Sequence, residues 1–247
     1  MRHRHPFHVA FICLPRAAHR KGAHTVEVTC PYLAELVHAR CSHLWPARVD
    51  IEEDQARAER DILGAWYPVG VNATLLFARY RAGGHFSPHT DGYNVTDFNH
   101  RSLYSLLLYL NDCEGGGATK IGGRREEGNE DCESDKLRPD ESGRFRYPES
   151  AWLCQAECRA GEAVAFFQDR VHEGQPVAEK AVKYIIRTDI MYERRPALCD
   201  SPAEREAFEL FREAELAEHE GDCERAARLF RRAFKMAPEM AEIYGCR

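Results

Sequence analysis

Four short apolar runs, each bounded by turn-forming residues, limit most what this chain can fold into. They are "ATLLFARY" (73–80), "LYSLLLYL" (103–110), "EAVAFF" (162–167) and "KYIIRTDIMY" (183–192). All are rich in β-branched, aromatic or leucine side chains, and Gly, Asn or Asp closes them, which is a strand pattern. Isolated strands of this length are not stable in water. They must pack together as a sandwich or barrel, and a double-sheet jelly roll is one such form. With 247 residues the chain can hold one large β-rich domain, or one domain plus a small appendage.

Both flanks read as helical. Between 28 and 66, "PYLAELVHARCSHLW" spaces its apolar residues near 3.6, and "DIEEDQARAERDILGAW" starts with acids that suit a helix N-terminus. After residue 203, Gly221-Asp222 separates two amphipathic stretches, and Ala226, Phe230 and Ala233 fall at i, i+4 and i+7 before Pro238. The segment 122–150, "GGRREEGNEDCESDKLRPDESGRFRYPES", is dense in charge, Gly, Pro and Ser. It has too few aliphatic residues to offset the entropy of ordering, so it is expected to be a mobile insertion. The expected division is an N-terminal segment with helices over 1–70, a β core over 71–195 carrying that insertion, and a helical hairpin over 203–247.

Composition narrows the function classes. Hydrophobic residues make up 44% and charged residues 30%, a globular balance. The net charge of −6 speaks against nucleic acid as a partner. No run of 18 apolar residues is present, so no membrane-spanning helix is expected. The basic start "MRHRHPFHVAFICL" has too short an apolar core for a signal peptide. Ten scattered cysteines contain no C-x-x-C pair and suit reduced thiols, which favours the cytoplasm over secretion. The sequons at Asn72 and Asn94 stand at poor positions for a glycan.

The candidate chemistry lies in "FSPHTDGYN" (86–94). His89 and Asp91, two positions apart at a strand end, would aim an imidazole and a carboxylate at one point. An H-x-D tripeptide alone is weak evidence. "FFQDRVHEGQPV" (166–177) supplies His172 directly after a second strand. Two His and one carboxylate on one side of a metal suit a non-haem ferrous centre with open positions. In "VKYIIRTDIMY", Lys183, Ile185, Arg187 and Asp189 share a strand face. An inward cation there is costly unless an anion meets it. A solvated face would place Lys183 in the same alternation.

These residues carry a family resemblance. "RYRAGGHFSPHTDG", "RSLYSLLLYLNDCEGGGATKI" and "VHEGQPVAEKAVKYIIRTDIMY" resemble three sequence blocks of the 2-oxoglutarate/Fe(II)-dependent dioxygenases, in the prolyl 4-hydroxylase-like branch, over about residues 71 to 193. The resemblance implies a mainly β fold with flanking helices, built on a double-stranded β-helix (jelly roll). It implies Fe(2+) held by His89, Asp91 and His172, and 2-oxoglutarate as co-substrate with O2. Lys183 and Tyr109 would bind the far carboxylate of the co-substrate, Tyr80 would stand near it, and Thr119 would lie in the turn beside the site. Ascorbate is a further cofactor candidate. The family places its basic residue about ten positions after the distal His. Lys183 stands eleven after His172, so Arg187, on the same strand face, is the second choice.

The C-terminal hairpin resembles one tetratricopeptide repeat, with Ala207 in its first position, although Glu213-Ala214 replaces the usual Leu-Gly pair. The expected activity is hydroxylation of a prolyl or other side chain of a protein, with release of succinate and CO2. A partner-binding protein that uses the hairpin, with the barrel as scaffold, is one alternative. A dioxygenase acting on a small molecule is another. Oligomeric state is not legible.

Overall fold

The computed structural model describes residues 8–10, 20–52, 60–124, 138–139 and 145–244. Most of the expected insertion, 125–137 and 140–144, lies outside these residues. The chain forms two compact units. One comprises Met1–Ser42, Gly70–Tyr93 and Leu103–Ile190, and the other His43–Val69, Asn94–Ser102 and Met191–Arg247.

The first unit is organised around a 16-residue strand, Thr74–His89. Its early half pairs antiparallel with the strand Val182–Arg194, placing Lys183 opposite Tyr80. Its late half pairs instead with Arg170–Gly174, placing His172 opposite His89. The change of partner follows Gly83-Gly84. Gly83 has φ +70°, and a Cβ on Gly84 would lie 2.7 Å from the carbonyl oxygen of Arg81, so glycine is required for the bend. Arg170–Gly174 pairs in turn with Thr119–Arg124, which pairs with Trp152–Ala156. Ala163–Phe167 pairs with His100–Tyr109. This is a mainly β, antiparallel architecture of jelly-roll type with flanking helices.

Alternation divides the side chains between two apolar clusters. Tyr80, Tyr109, Ile121, Phe166, Val177 and Ile185 form the interior. Leu75 and Ile186 point the other way and pack with Phe77 and Leu33, the last on the helix Pro31–Cys41.

One N-terminal expectation needs correction. Only Pro31–Cys41 of the 28–66 stretch is an α-helix among the described residues; Val49–Ile51 and Gly64–Val71 are paired strands. Gly64, at φ +116°, ends any helical course, and "AWYPV" after it is aromatic and β-branched. Residues 53–59, in the middle of the expected second helix, lie outside the described residues. The strand Arg20–Thr29, paired along Thr74–His89, was not anticipated.

In the second unit, helices Pro202–His219, Cys223–Met236 and Pro238–Ile243 follow one another. The apolar face of the hairpin is filled by Phe208, Phe211, Ala233 and Met240, together with Phe98. Tyr244 stacks on Phe211 with centroids 4.2 Å apart. A capping box opens the first helix: Ser201 Oγ accepts from Glu204 N, and Glu204 Oε2 accepts from Ser201 N. Ser201→Ala should lower unfolding free energy by about 1 kcal/mol, read as a shift of the urea midpoint with unchanged slope.

Candidate active site

Both candidate imidazoles are fixed by their own strands. His89 Nδ1 lies 2.8 Å from the carbonyl oxygen of Ser87, and His172 Nδ1 lies 3.0 Å from that of Arg170. A carbonyl can only accept, so each Nδ1 carries the hydrogen and each Nε2 presents its lone pair. Cross-strand register sets the rings side by side, with centroids 4.1 Å apart. Phe86 stacks on His89 at 3.6 Å and Phe166 leans on His172 at 4.4 Å, so apolar rings shield both.

Asp91 follows the end of the long strand and is positioned by its backbone, whose N–H donates to the carbonyl oxygen of Gln168 at 3.0 Å. Its Oδ1 lies 3.7 Å from His89 Nε2, and its Oδ2 lies 3.5 Å from His172 Nε2. The three ligand atoms lie within 4.8 Å of one another. Atoms bound to one first-row metal at 2.0–2.2 Å sit about 3 to 4 Å apart, so the cluster fits a single ion. Oδ2 also accepts from Ser105 Oγ at 2.5 Å and pairs with Arg187 Nη2 at 3.3 Å. Burial alone would raise the pKa of Asp91. The charges of Arg187, His172 and His89 and the Ser105 hydrogen bond outweigh it and hold the carboxyl at about 2. Burial pushes His172 below the ordinary histidine value, which keeps it neutral. Two neutral imidazoles and one carboxylate are the donor set that ferrous iron takes.

A second polar feature lies within the interior cluster. Lys183 is 3% exposed, and its Nζ donates to the carbonyl oxygen of Gly117 at 2.5 Å. It lies 5.3 Å from the ring centre of Tyr109 and 6.0 Å from that of Tyr80. Among the described residues no carboxylate pairs with it. Burial lowers its pKa, while Cys158 and Cys113 act in the opposite sense. Tyr109 Oη donates to Thr119 Oγ1 at 2.8 Å, and burial pushes the phenol up to about 12. The extra residue between His172 and Lys183 is absorbed in the turn. Lys180 takes φ +65° and Ala181 N donates to the carbonyl oxygen of Ala178, so the register opposite Tyr80 is kept. Arg187 stands apart from Lys183, with Nη2 between Asp91 Oδ2 and Asp189 Oδ1 at 3.3 and 3.2 Å.

Residues 75–188 match the family model described as the 2OG-Fe(II) oxygenase superfamily. The chain carries a 2OG-Fe(II) oxygenase domain. That family implies Fe(2+) and 2-oxoglutarate, and the His89, Asp91 and His172 cluster is the metal site of this domain. No curated protein matches the chain. Among solved structures it is similar to a prolyl-4-hydroxylase from Pseudomonas putida, at 18% identity over 76% of this chain and 77% of that one, TM-score 0.37. It is also similar to a prolyl hydroxylase from Trichoplax adhaerens, in complex with a hypoxia inducible factor peptide fragment. There the identity is 13%, over 75% of this chain and 70% of that one, TM-score 0.41. A 2OG-Fe(II) oxygenase family oxidoreductase from Burkholderia pseudomallei shows 14% identity over 56% and 46%, TM-score 0.30.

Within the oxygenase domain the sequence reading missed the supports of Asp91. Ser105 and Gln168 are both fully buried. A usable signal existed for Ser105, the one small polar residue in the leucine- and tyrosine-rich run "LYSLLLYL". The sequon residue Asn72 is engaged too. Its Oδ1 accepts from Thr74 N and its Nδ2 reaches Asp189 Oδ2 at 3.5 Å.

Proposed function

We propose that this dioxygenase hydroxylates a C–H bond of a protein side chain, a prolyl ring in the first instance, within a core spanning 71–195. His89 Nε2, His172 Nε2 and one Asp91 oxygen would hold the ferrous ion. When bound, iron and 2-oxoglutarate supply the oxidising chemistry: one atom of O2 goes to the substrate carbon, the other to succinate, and CO2 leaves. The observation that carries the reading is the convergence of these three side chains in the same interior as a buried lysine that pairs with no carboxylate among the described residues.

The residues divide the remaining work. Lys183 offers a cation that lacks an anionic partner among the described residues, which suits the far carboxylate of 2-oxoglutarate. Tyr109 and Thr119 share one hydrogen bond between two hydroxyls, so one hydroxyl hydrogen stays free to donate to that carboxylate. Tyr80, opposite Lys183, walls the same space. Arg187 is held by two carboxylates and is therefore the weaker anchor. Phe86 and Phe166 keep water from the imidazoles. The resemblance of the three sequence blocks to the prolyl 4-hydroxylase-like branch supports a peptide substrate. The C-terminal helices, read as a tetratricopeptide-like hairpin, take a supporting role, because their apolar face is already filled.

The test is a panel of proline-containing peptides incubated with protein, Fe(II), 2-oxoglutarate and O2. The expected result is a mass gain of one oxygen that depends on 2-oxoglutarate and matches the succinate formed. Succinate release with every peptide unmodified, and oxygen recovered in a small molecule instead, would overturn the peptide assignment.

A further inference from the structure

An arginine beside a metal-binding carboxylate is a liability, because the two cations compete for the same oxygens. Arg187 Nη2 stands 3.3 Å from Asp91 Oδ2. The same nitrogen stands 3.2 Å from Asp189 Oδ1, so its two hydrogens can serve one carboxylate each. Asp189 is buried, and among the described residues every polar contact of its side chain is with a donor. Gln168 Nε2 reaches Oδ1 at 2.9 Å, Asn72 Nδ2 reaches Oδ2 at 3.5 Å, and Arg187 completes the set. Only a carboxylate accepts at all of these contacts.

We propose that Asp189 is a positioning residue for the metal site: it holds Arg187 and balances its charge, so that Arg187 does not take Asp91 from the metal. This rests on the metal-site reading above. Ser105 and Arg187 together occupy Oδ2 of Asp91, which leaves Oδ1 as the oxygen with no hydrogen-bond donor among the described residues. The carboxylate is thereby turned to bind through one oxygen, and the positions around the metal stay open for a chelating co-substrate. The charges agree with this arrangement. Asp91 and Asp189 carry two negative charges against one positive, so the ligand set keeps a net negative charge to offer the ion. Without the charge of Asp189, Arg187 would have Asp91 as its one ion-pair partner in contact among the described residues, with Glu27 acting from farther away, and would offset more of its charge.

The test is anaerobic titration with Co(II) alone, followed by the visible absorbance of the bound ion, on the full chain. Asp189→Asn should weaken Co(II) binding on the order of tenfold. Arg187→Met should bind at least as tightly as the parent, since a competing positive charge leaves. The double variant Arg187→Met with Asp189→Asn should recover to within about threefold of the parent, because the two changes cancel in charge. Loss of a merely structural contact would not be rescued by removing its partner. Parental affinity in Asp189→Asn overturns the proposal, as does a double variant as weak as the single one. If Asp189→Asn does not fold, weakened binding by Arg187→Met overturns it. A parent chain that takes up no Co(II) overturns the metal-site reading instead, which keeps the two failures apart.

Discussion

Asp91→Ala is expected to abolish 2-oxoglutarate turnover and to empty the metal site, and His89→Ala and His172→Ala should do the same. The loss should exceed the 10- to 100-fold that removing a mere support of a ligand costs. Asp91 carries the greatest weight of the three because it is the one anion in the donor set. Without it, two neutral imidazoles face the ion with Arg187 close by, and that guanidinium then has Asp189 as its remaining partner. Each histidine is needed for a different reason. Three ligands on one side leave three positions for co-substrate and O2, and two ligands do not retain the ion. The measurement is iron content after anaerobic loading together with succinate release. Parental succinate release from any one of the three variants would sink the assignment. The variants should remain folded, since none of the three side chains belongs to the apolar interior formed by Tyr80, Tyr109, Ile121 and Phe166.

The site was legible where neighbours in sequence are neighbours in space. His89 and Asp91 sit two residues apart, and each imidazole is aimed by a carbonyl two residues before it. Alternation alone offered two cations on one strand face, Lys183 and Arg187, and the resemblance of the surrounding block to the family favoured Lys183. What could not be read depends on register between distant strands. Ser105 reaches Asp91 from another strand, and Arg187 bridges Asp91 and Asp189 only because Val182–Arg194 lies along Thr74–His89 with Arg187 opposite Leu76. A one-residue slip would send that guanidinium to the other face. The fold class followed from period-two runs in the same way. Its N-terminal part was misread because acids at 50–54 resemble a helix start, whereas the strand at 64–71 is set by Gly64 and by burial of Trp66, whose Nε1 donates to the carbonyl oxygen of Ile62. The charges of Arg20 and Lys21 hid the strand Arg20–Thr29, although Thr25, Val26 and Val28 are residues that favour strands.

Lys183→Met should raise the 2-oxoglutarate concentration for half-maximal succinate release by at least about 30-fold and change the maximal rate much less. Methionine keeps the stem that packs beside Tyr80 and Tyr109 but removes the charge. Truncating one partner of a buried hydrogen-bonded charge pair costs about 2–5 kcal/mol. At about 1.4 kcal/mol per factor of ten, the lower end of that range is about 30-fold. The far carboxylate is remote from the reacting atoms, so the loss falls on binding rather than on the chemical step. A pH series separates charge from shape. Burial holds Lys183 below the ordinary lysine value, so in the free enzyme its ammonium is lost earlier than usual as pH rises. Binding the anion requires the ammonium. The half-saturating 2-oxoglutarate concentration of the parent should therefore climb on the alkaline side, and Lys183→Met should show no such climb. An unaltered co-substrate titration in Lys183→Met would transfer the role to Arg187. Geometry weighs against that outcome. The Nη2 of Arg187 already lies between Asp91 and Asp189, so a third carboxylate would meet two negative charges before it met the positive one.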